Sequence, residues 1–258
     1  MKRGFLALLL FVVAPAFAQV APTAQPAPVP AQATGAEPGA PQPRPLAPFV
    51  ASYAVLRDGK AMGDATLKLE RLEGERWRVD LGIRGTRGLV GLVGLNLQQS
   101  TLFEVADGDY RPLSQSTVRK ALFGNRKTTG VYDWAHARAQ WQGDVKKTRR
   151  DAVPLQSGDM SGLLINLAVL RDATPGAVLH YRFVDDGRVR AHEYVVGAER
   201  DPVEVDGLGY SAMRVTRAKG AGESTTLWVT EGVPMPVRIL TRDDEQEIDL
   251  RLVDYTGA

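Results

Sequence analysis

The chain has 258 residues, with 32 Lys and Arg against 30 Asp and Glu, and it contains no cysteine. Without thiols there is no disulfide framework, no thiolate metal site, no cysteine nucleophile and no lipid-anchored export signal, which needs a cysteine just after its cut. Loss of Lys2 and Arg3 with an export signal leaves a net charge near zero, so composition gives no electrostatic case for nucleic acid.

The first eighteen residues have the form of a cleavable export signal. Lys2 and Arg3 precede an apolar run from Phe5 to Phe17, and Ala16-Phe17-Ala18 supplies the small-x-small pattern that a signal peptidase cuts after. The run is shorter than the roughly 20 residues of a membrane-spanning helix. The expectation is a mature chain beginning near Gln19, soluble and periplasmic. Residues 19–47 follow as a linker rich in Ala, Pro and Gln, with no hydrophobic periodicity. Such a segment buries too little apolar surface to offset its ordering entropy, and proline biases it towards an extended spacer.

From Pro48 to Ala258 the pattern is that of one β-rich domain. Phe49, Ala51, Tyr53 and Val55 alternate with polar or small residues, and Asp58-Gly59 is a hairpin turn. Ala65, Leu67 and Leu69 alternate next, and Glu73-Gly74-Glu75 turns the chain into Trp77, Val79, Leu81 and Ile83. One buried and one wet face per strand predicts antiparallel sheet. Further strands are expected over 97–105, 110–121 and 127–134. Gln140-Trp141-Gln142 and 145–153 are expected to flank a Gly143-Asp144 turn. Strands over 178–184, 189–196, 210–218, 225–230, 236–241 and 248–255 complete the set.

One helix is expected, over 159–170. Met160, Leu163, Leu164, Leu167 and Leu170 form its apolar stripe, and Ser157 or Asp159 caps it. A dozen strands and one helix predict a strongly curved antiparallel sheet, a half-open barrel with the helix covering an open face. A β-sandwich is the alternative.

Several landmarks resemble a known family. Tyr53-x-Val55, then Gly59 and Gly63-x-Ala65-x-Leu67, resemble the opening hairpin of exported proteins known as domain of unknown function 3108. Tyr110-x-Pro112, Asp159-Met160-Ser161-Gly162-Leu163, and Leu227-Trp228 with Pro236-Val237-Arg238 are similar to later landmarks of that family. The resemblance implies a periplasmic β-rich domain without an established activity, and it supplies no catalytic residue.

Gly82, Gly85, Gly88, Gly91 and Gly94 recur every third residue, too few and too proline-poor for collagen. They also lack the G-x-G-x-x-G spacing of a dinucleotide loop. The structural reading is a curved or bulged strand with Leu89, Val90, Leu92, Val93 and Leu95 buried. The functional reading is an apolar flap over a cavity, in which Leu89, Leu92 and Leu95, with Leu163 and Leu167 of the helix, contact a ligand.

No catalytic residue, metal ligand set or cofactor is assigned. His180 and His192 face each other only if the Asp185-Asp186-Gly187 hairpin has a three-residue loop, and Arg182 and Arg190 then oppose a cation. A two-residue loop separates the histidines onto opposite faces. His136 sits by a turn and reads as solvated. Ser161 lacks the G-x-S-x-G elbow and belongs to a helix start. Asp185-Asp186 and Asp243-Asp244-Glu245 sit at turns without calcium-loop spacing. Lys146-Lys147-x-Arg149-Arg150 reads as a solvated strand face, with contact to anionic headgroups or cell-wall polymer as its second reading.

Three functions remain open at this point. The first is a non-enzymatic binding or carrier domain for an apolar or amphipathic envelope molecule such as a lipid. The second is an envelope assembly factor that binds another protein. The third is a hydrolase of envelope polymer using two carboxylates.

Overall fold

The computed structural model describes residues 46–86, 96–121, 124–218, 223–243 and 246–257. All of them lie in one compact unit, Pro43–Ala258. The first eight strands are β1 (Phe49–Arg57), β2 (Lys60–Arg71), β3 (Arg76–Gly85), β4 (Asn96–Ala106), β5 (Asp109–Ala121), β6 (Gly124–Asp133), β7 (Arg138–Gly143) and the short β8 (Val153–Pro154). After β9 (Asp159–Met160) comes the helix α1 (Gly162–Asp172). The chain continues through β10 (Val178–Asp185), β11 (Arg188–Val205), β12 (Leu208–Ala218), β13 (Ser224–Val229), β14 (Arg238–Arg242) and β15 (Glu247–Gly257).

These strands form one 15-stranded sheet in the order 8-7-6-5-4-3-2-1-15-14-13-12-11-10-9. The sandwich alternative is therefore excluded. Two antiparallel meanders meet where β1 pairs with β15, and the last pair, β9 with β10, is parallel. The edges β8 and β9 are separated in sequence only by residues 155–158. That connection reaches at most about 17 Å, whereas fifteen strands laid flat would span on the order of 65 Å. The sheet must curl until its edges meet.

The hairpins that drive the meanders are local. At Asp58-Gly59, Asp107-Gly108, Asp186-Gly187 and Asp206-Gly207 both turn residues have positive φ. This is the type I′ geometry whose twist matches that of the flanking strands. The turn at Asp186-Gly187 is the two-residue version, with Asp185 paired to Arg188, so His180 faces Glu193 and His192 faces Tyr181. The histidines consequently point to opposite faces.

Strand alternation places Phe49, Ala51, Tyr53 and Val55 of β1, Ala65, Leu67 and Leu69 of β2, and Trp77 and Val79 of β3 in the main core. Tyr53 donates a hydrogen bond of 2.9 Å to the carbonyl of Pro236, tying the opening hairpin to the closing one. Tyr53→Phe is expected to destabilise the fold by about 1 kcal/mol, because it strands a buried acceptor. A lower urea midpoint with an unchanged m-value checks this.

The expected helix is present, and its start and cap differ from expectation. It begins at Gly162, because Asp159-Met160 is drawn into β9. Its N-cap is Ser161, whose hydroxyl makes no capping bond and lies 2.9 Å from the hydroxyl of Thr101 instead. Leu163, Leu164, Ile165, Leu167, Ala168 and Val169 are all buried, so the helix is apolar around most of its circumference. It contacts β3, β4, β5 and β10, and so covers the buried face of the curled sheet on both sides of the seam.

A second, smaller core contains Tyr132, Ala139, Trp141, Val145 and Leu155 together with Val184 of β10. Residues of β6 and β7 and the segment after them thus pack on β10, and the two ends of the sheet overlap. The strand expected over 145–153 is a loop with a one-turn 3-10 helix at Lys147–Arg149. Gly143 and Gly187 explain why the loop takes this path. Both have positive φ, and a Cβ at Gly187 would lie 2.1 Å from the Arg149 carbonyl oxygen.

Candidate functional site: a basic slot between the sheet ends

Overlap of the two ends leaves a slot of about 500 Å³ at the seam. One wall is the face of β4–β6 that carries Gln99, Thr117, Arg119, Arg126 and Thr128. Register puts Gln99 opposite Thr117, Thr117 opposite Thr128, and Arg119 opposite Arg126, so these side chains share one face. The opposing wall is the β10–β11 tip, with Asp185, Asp186, Arg188 and Arg190. Asp144, Lys146 and Arg149 of the loop after β7 close the side.

Hydrogen bonds across the seam hold the slot's floor. Gln115 Nε2 donates to Asp185, and Tyr132 Oη lies 2.7 Å from both Gln115 Oε1 and the Val184 carbonyl. Nearby, Arg182 Nη1 donates to the buried carboxylate of Asp159, 2.7 Å from Oδ1, and Arg182 also reaches the Pro154 carbonyl at 3.3 Å. Asp159 in turn accepts the backbone N–H of Gln156 at 2.8 Å. This carboxylate fastens β8, β9 and β10 together rather than capping the helix.

The slot has six cationic and three acidic side chains, an excess of three positive charges. Two of the acids serve its frame. Asp186 pairs with Arg149, and Asp144 accepts the Lys127 N–H at 2.7 Å. Burial pushes the Asp185 carboxyl above its ordinary range, with the neighbouring Asp186 adding to the effect against Gln115 and Arg190. Burial also lowers the Arg190 guanidinium, helped by Arg188 and Arg149. Arg190 stacks on the Phe183 ring at 4.8 Å, and its buried Nε has no hydrogen-bond partner among the described residues.

A raised Asp185 pKa has a definite consequence for stability. The contribution is fully present below the unfolded carboxylate value of about 3.9 and is lost as pH rises through the raised folded value. Asp185→Asn keeps an oxygen for Gln115 and removes the buried charge. The variant should melt above the wild type at pH 7, and the difference should vanish near pH 3. An equal difference at both pH values would mean that Asp185 titrates normally.

Of the residues expected to contact ligand, Leu163 and Leu167 are described, one turn apart on α1. Leu163 and Leu167 are core residues, 6% and 3% exposed. Leu163 borders a void of about 20 Å³, and Leu167 a shallow apolar pocket of about 190 Å³ beside Phe49, Tyr110 and Val233. Leu89, Leu92 and Leu95 lie outside the described residues. Their flanking strands β3 and β4 border a further cavity of about 630 Å³ lined by Arg84, Asn96, Leu97, Gln98 and Lys120. Gln99 and Arg119, next along the chain, already belong to the basic slot.

Sequence reasoning missed Arg119, Arg126, Arg188 and Arg190. A signal was present, since basic residues flank the turns between β5 and β6 and between β10 and β11. The Lys146 to Arg150 cluster is no solvated strand face; it is a turn that contributes Lys146 and Arg149 to the slot. His136 rests against Asp133, with Nδ1 2.8 Å from Oδ2, on the surface. Among the described residues no group of three or more His, Cys, Asp or Glu is placed to hold a metal ion.

Residues 49–253 match the family described as "Protein of unknown function (DUF3108)". The chain belongs to this family. The opening and closing hairpins that resemble it are the parts joined by Tyr53 and Pro236. The DUF3108 fold is similar to that of a β-barrel-like protein of domain of unknown function DUF1849 from Brucella abortus. That crystal structure has a TM-score of 0.52 at 11% identity, over 83% of this chain and 98% of that one. Comparison with curated proteins finds no match. No described helix of the DUF3108 chain is long and apolar enough to cross a membrane.

Proposed function

We propose that this DUF3108 protein is exported to the periplasm and is a non-enzymatic binding domain for an amphipathic envelope molecule. The observation that carries the reading is the open, charge-lined slot of about 500 Å³ where the two ends of the curled sheet overlap. Its volume falls in the range of small-molecule sites, roughly 300–1,000 Å³. The helix occupies the interior, and the apolar pocket beside Leu167 holds only about 190 Å³. A wholly apolar cargo therefore has less room than one with a polar headgroup. Leu89, Leu92 and Leu95, which precede β4 in sequence, are the candidate residues for an apolar tail. The export signal motivates the compartment.

Native mass spectrometry of the protein gently extracted from cells tests the reading. A defined added mass, released as an amphipathic molecule on denaturation, is expected. A chain that stays empty after incubation with envelope lipid extract sinks it, and a reproducible crosslinked protein partner in its place would favour an assembly role.

A further inference from the structure

We propose that the seam slot is a binding site for a phosphate-bearing anion, with Arg119, Arg126, Lys146 and Arg190 as its recognition groups. The inference deepens the binding-domain reading above and rests on it for the ligand's remaining parts. Of the six cations lining the slot, Arg149 and Arg188 face Asp186 at ion-pair distance, the latter at 4.0 Å. The other four form no ion pair among the described residues. One of them, Arg190, is half-buried with an orphaned Nε. A guanidinium taken partly out of water with an N–H left unbonded is destabilising unless something compensates it, and the Phe183 ring does so only in part.

The register sharpens the point. Arg119 and Arg126 are direct cross-strand partners, and like charges directly opposite each other weaken a sheet. Two paired arginines, a lysine and an arginine with an unbonded Nε around one slot make poor architecture and a good anion site. An excess of three positive charges exceeds what one carboxylate neutralises. A phosphate group, carrying up to two negative charges and several acceptor oxygens, meets several such donors at once. Thr117 and Thr128 on the same face add hydroxyl donors.

Calorimetric titration of the protein recovered from cells expressing the full chain tests this with three probes: inorganic phosphate, pyrophosphate and a short-chain phosphatidic acid. Saturable binding is expected, weakened by added salt. Arg126→Glu should weaken it at least roughly tenfold, as loss of a charge-assisted contact does. The same variant should melt no lower than wild type, because it replaces an Arg–Arg pair by Arg–Glu; a merely structural arginine would lower the melting temperature. Lys60→Glu, in the exposed β1–β2 hairpin, changes net charge equally and should leave binding intact.

No saturable binding of any probe at roughly 10 mM, where even a millimolar site fills, overturns the proposal. So does an equal loss in Lys60→Glu. Tight binding of pyrophosphate with no gain for phosphatidic acid keeps the anion site and removes the amphipathic cargo. Capture of a neutral lipid unaffected by Arg126→Glu does the reverse.

Discussion

Asp159→Ala is expected to destabilise the folded chain by about 3–5 kcal/mol, the usual result of breaking a buried ion pair by removing one partner. The Asp159 side chain is fully enclosed, while Arg182 retains 26% of its exposure. The substitution leaves that half-buried guanidinium without its carboxylate and strands the Gln156 N–H that the carboxylate accepts. It also releases both edges of the sheet, since Asp159 belongs to β9 and Arg182 anchors β8 through Pro154. For a domain of this size the melting temperature should fall on the order of 10 °C. Asp159→Leu combined with Arg182→Leu should recover much of the loss, because an apolar pair of similar volume needs no desolvation. If Asp159→Ala melted within a degree or two of wild type, the seam would not depend on this pair.

Gly187→Ala is expected to damage both stability and slot. Gly187 has φ +66 in the β10–β11 turn, where a Cβ costs about 1–2 kcal/mol. The added carbon would also sit 2.1 Å from the Arg149 carbonyl oxygen, a backbone atom held in the 3-10 turn. Relieving that overlap moves the turn and adds about 1–3 kcal/mol. The sister turn provides the control. Gly108 has φ +82 but nothing within 4 Å of the point where a Cβ would stand, so Gly108→Ala suffers the backbone strain alone. Denaturant melts of the two variants should differ by the packing contribution, and only Gly187→Ala should weaken anion binding, by shifting the turn that carries Lys146 into the slot. Equal destabilisation of the two would mean that the 3-10 turn yields freely.

Both effects arise where distant parts of the chain meet, and this separates what was legible in the sequence from what was not. The Asp-Gly turns, the two-residue periodicity of β1 to β3 and the apolar stripe around Leu163 to Leu167 are local signals. Each is set by backbone sterics or by a single buried face within a short stretch of chain. They sufficed for an antiparallel curved sheet with one helix. They did not fix where the helix starts: Asp159 has the chemistry of an N-cap, but an arginine 23 residues away holds it in a strand.

The site was harder to read for the same reason. Global neutrality gave no electrostatic case for an anionic partner, because net charge is a sum and binding is local. Arg126 and Arg190 lie 64 positions apart in the sequence and share a slot only because the sheet curls and laps its ends. Alternation in the strands near that lap specifies a buried face but not which other face covers it. Strands, turns and the helix were readable from local pattern, because they depend on interactions a few residues long. The overlap of the edges and the convergence of six cations followed from the curl of the whole sheet, because they rest on contacts between residues dozens of positions apart.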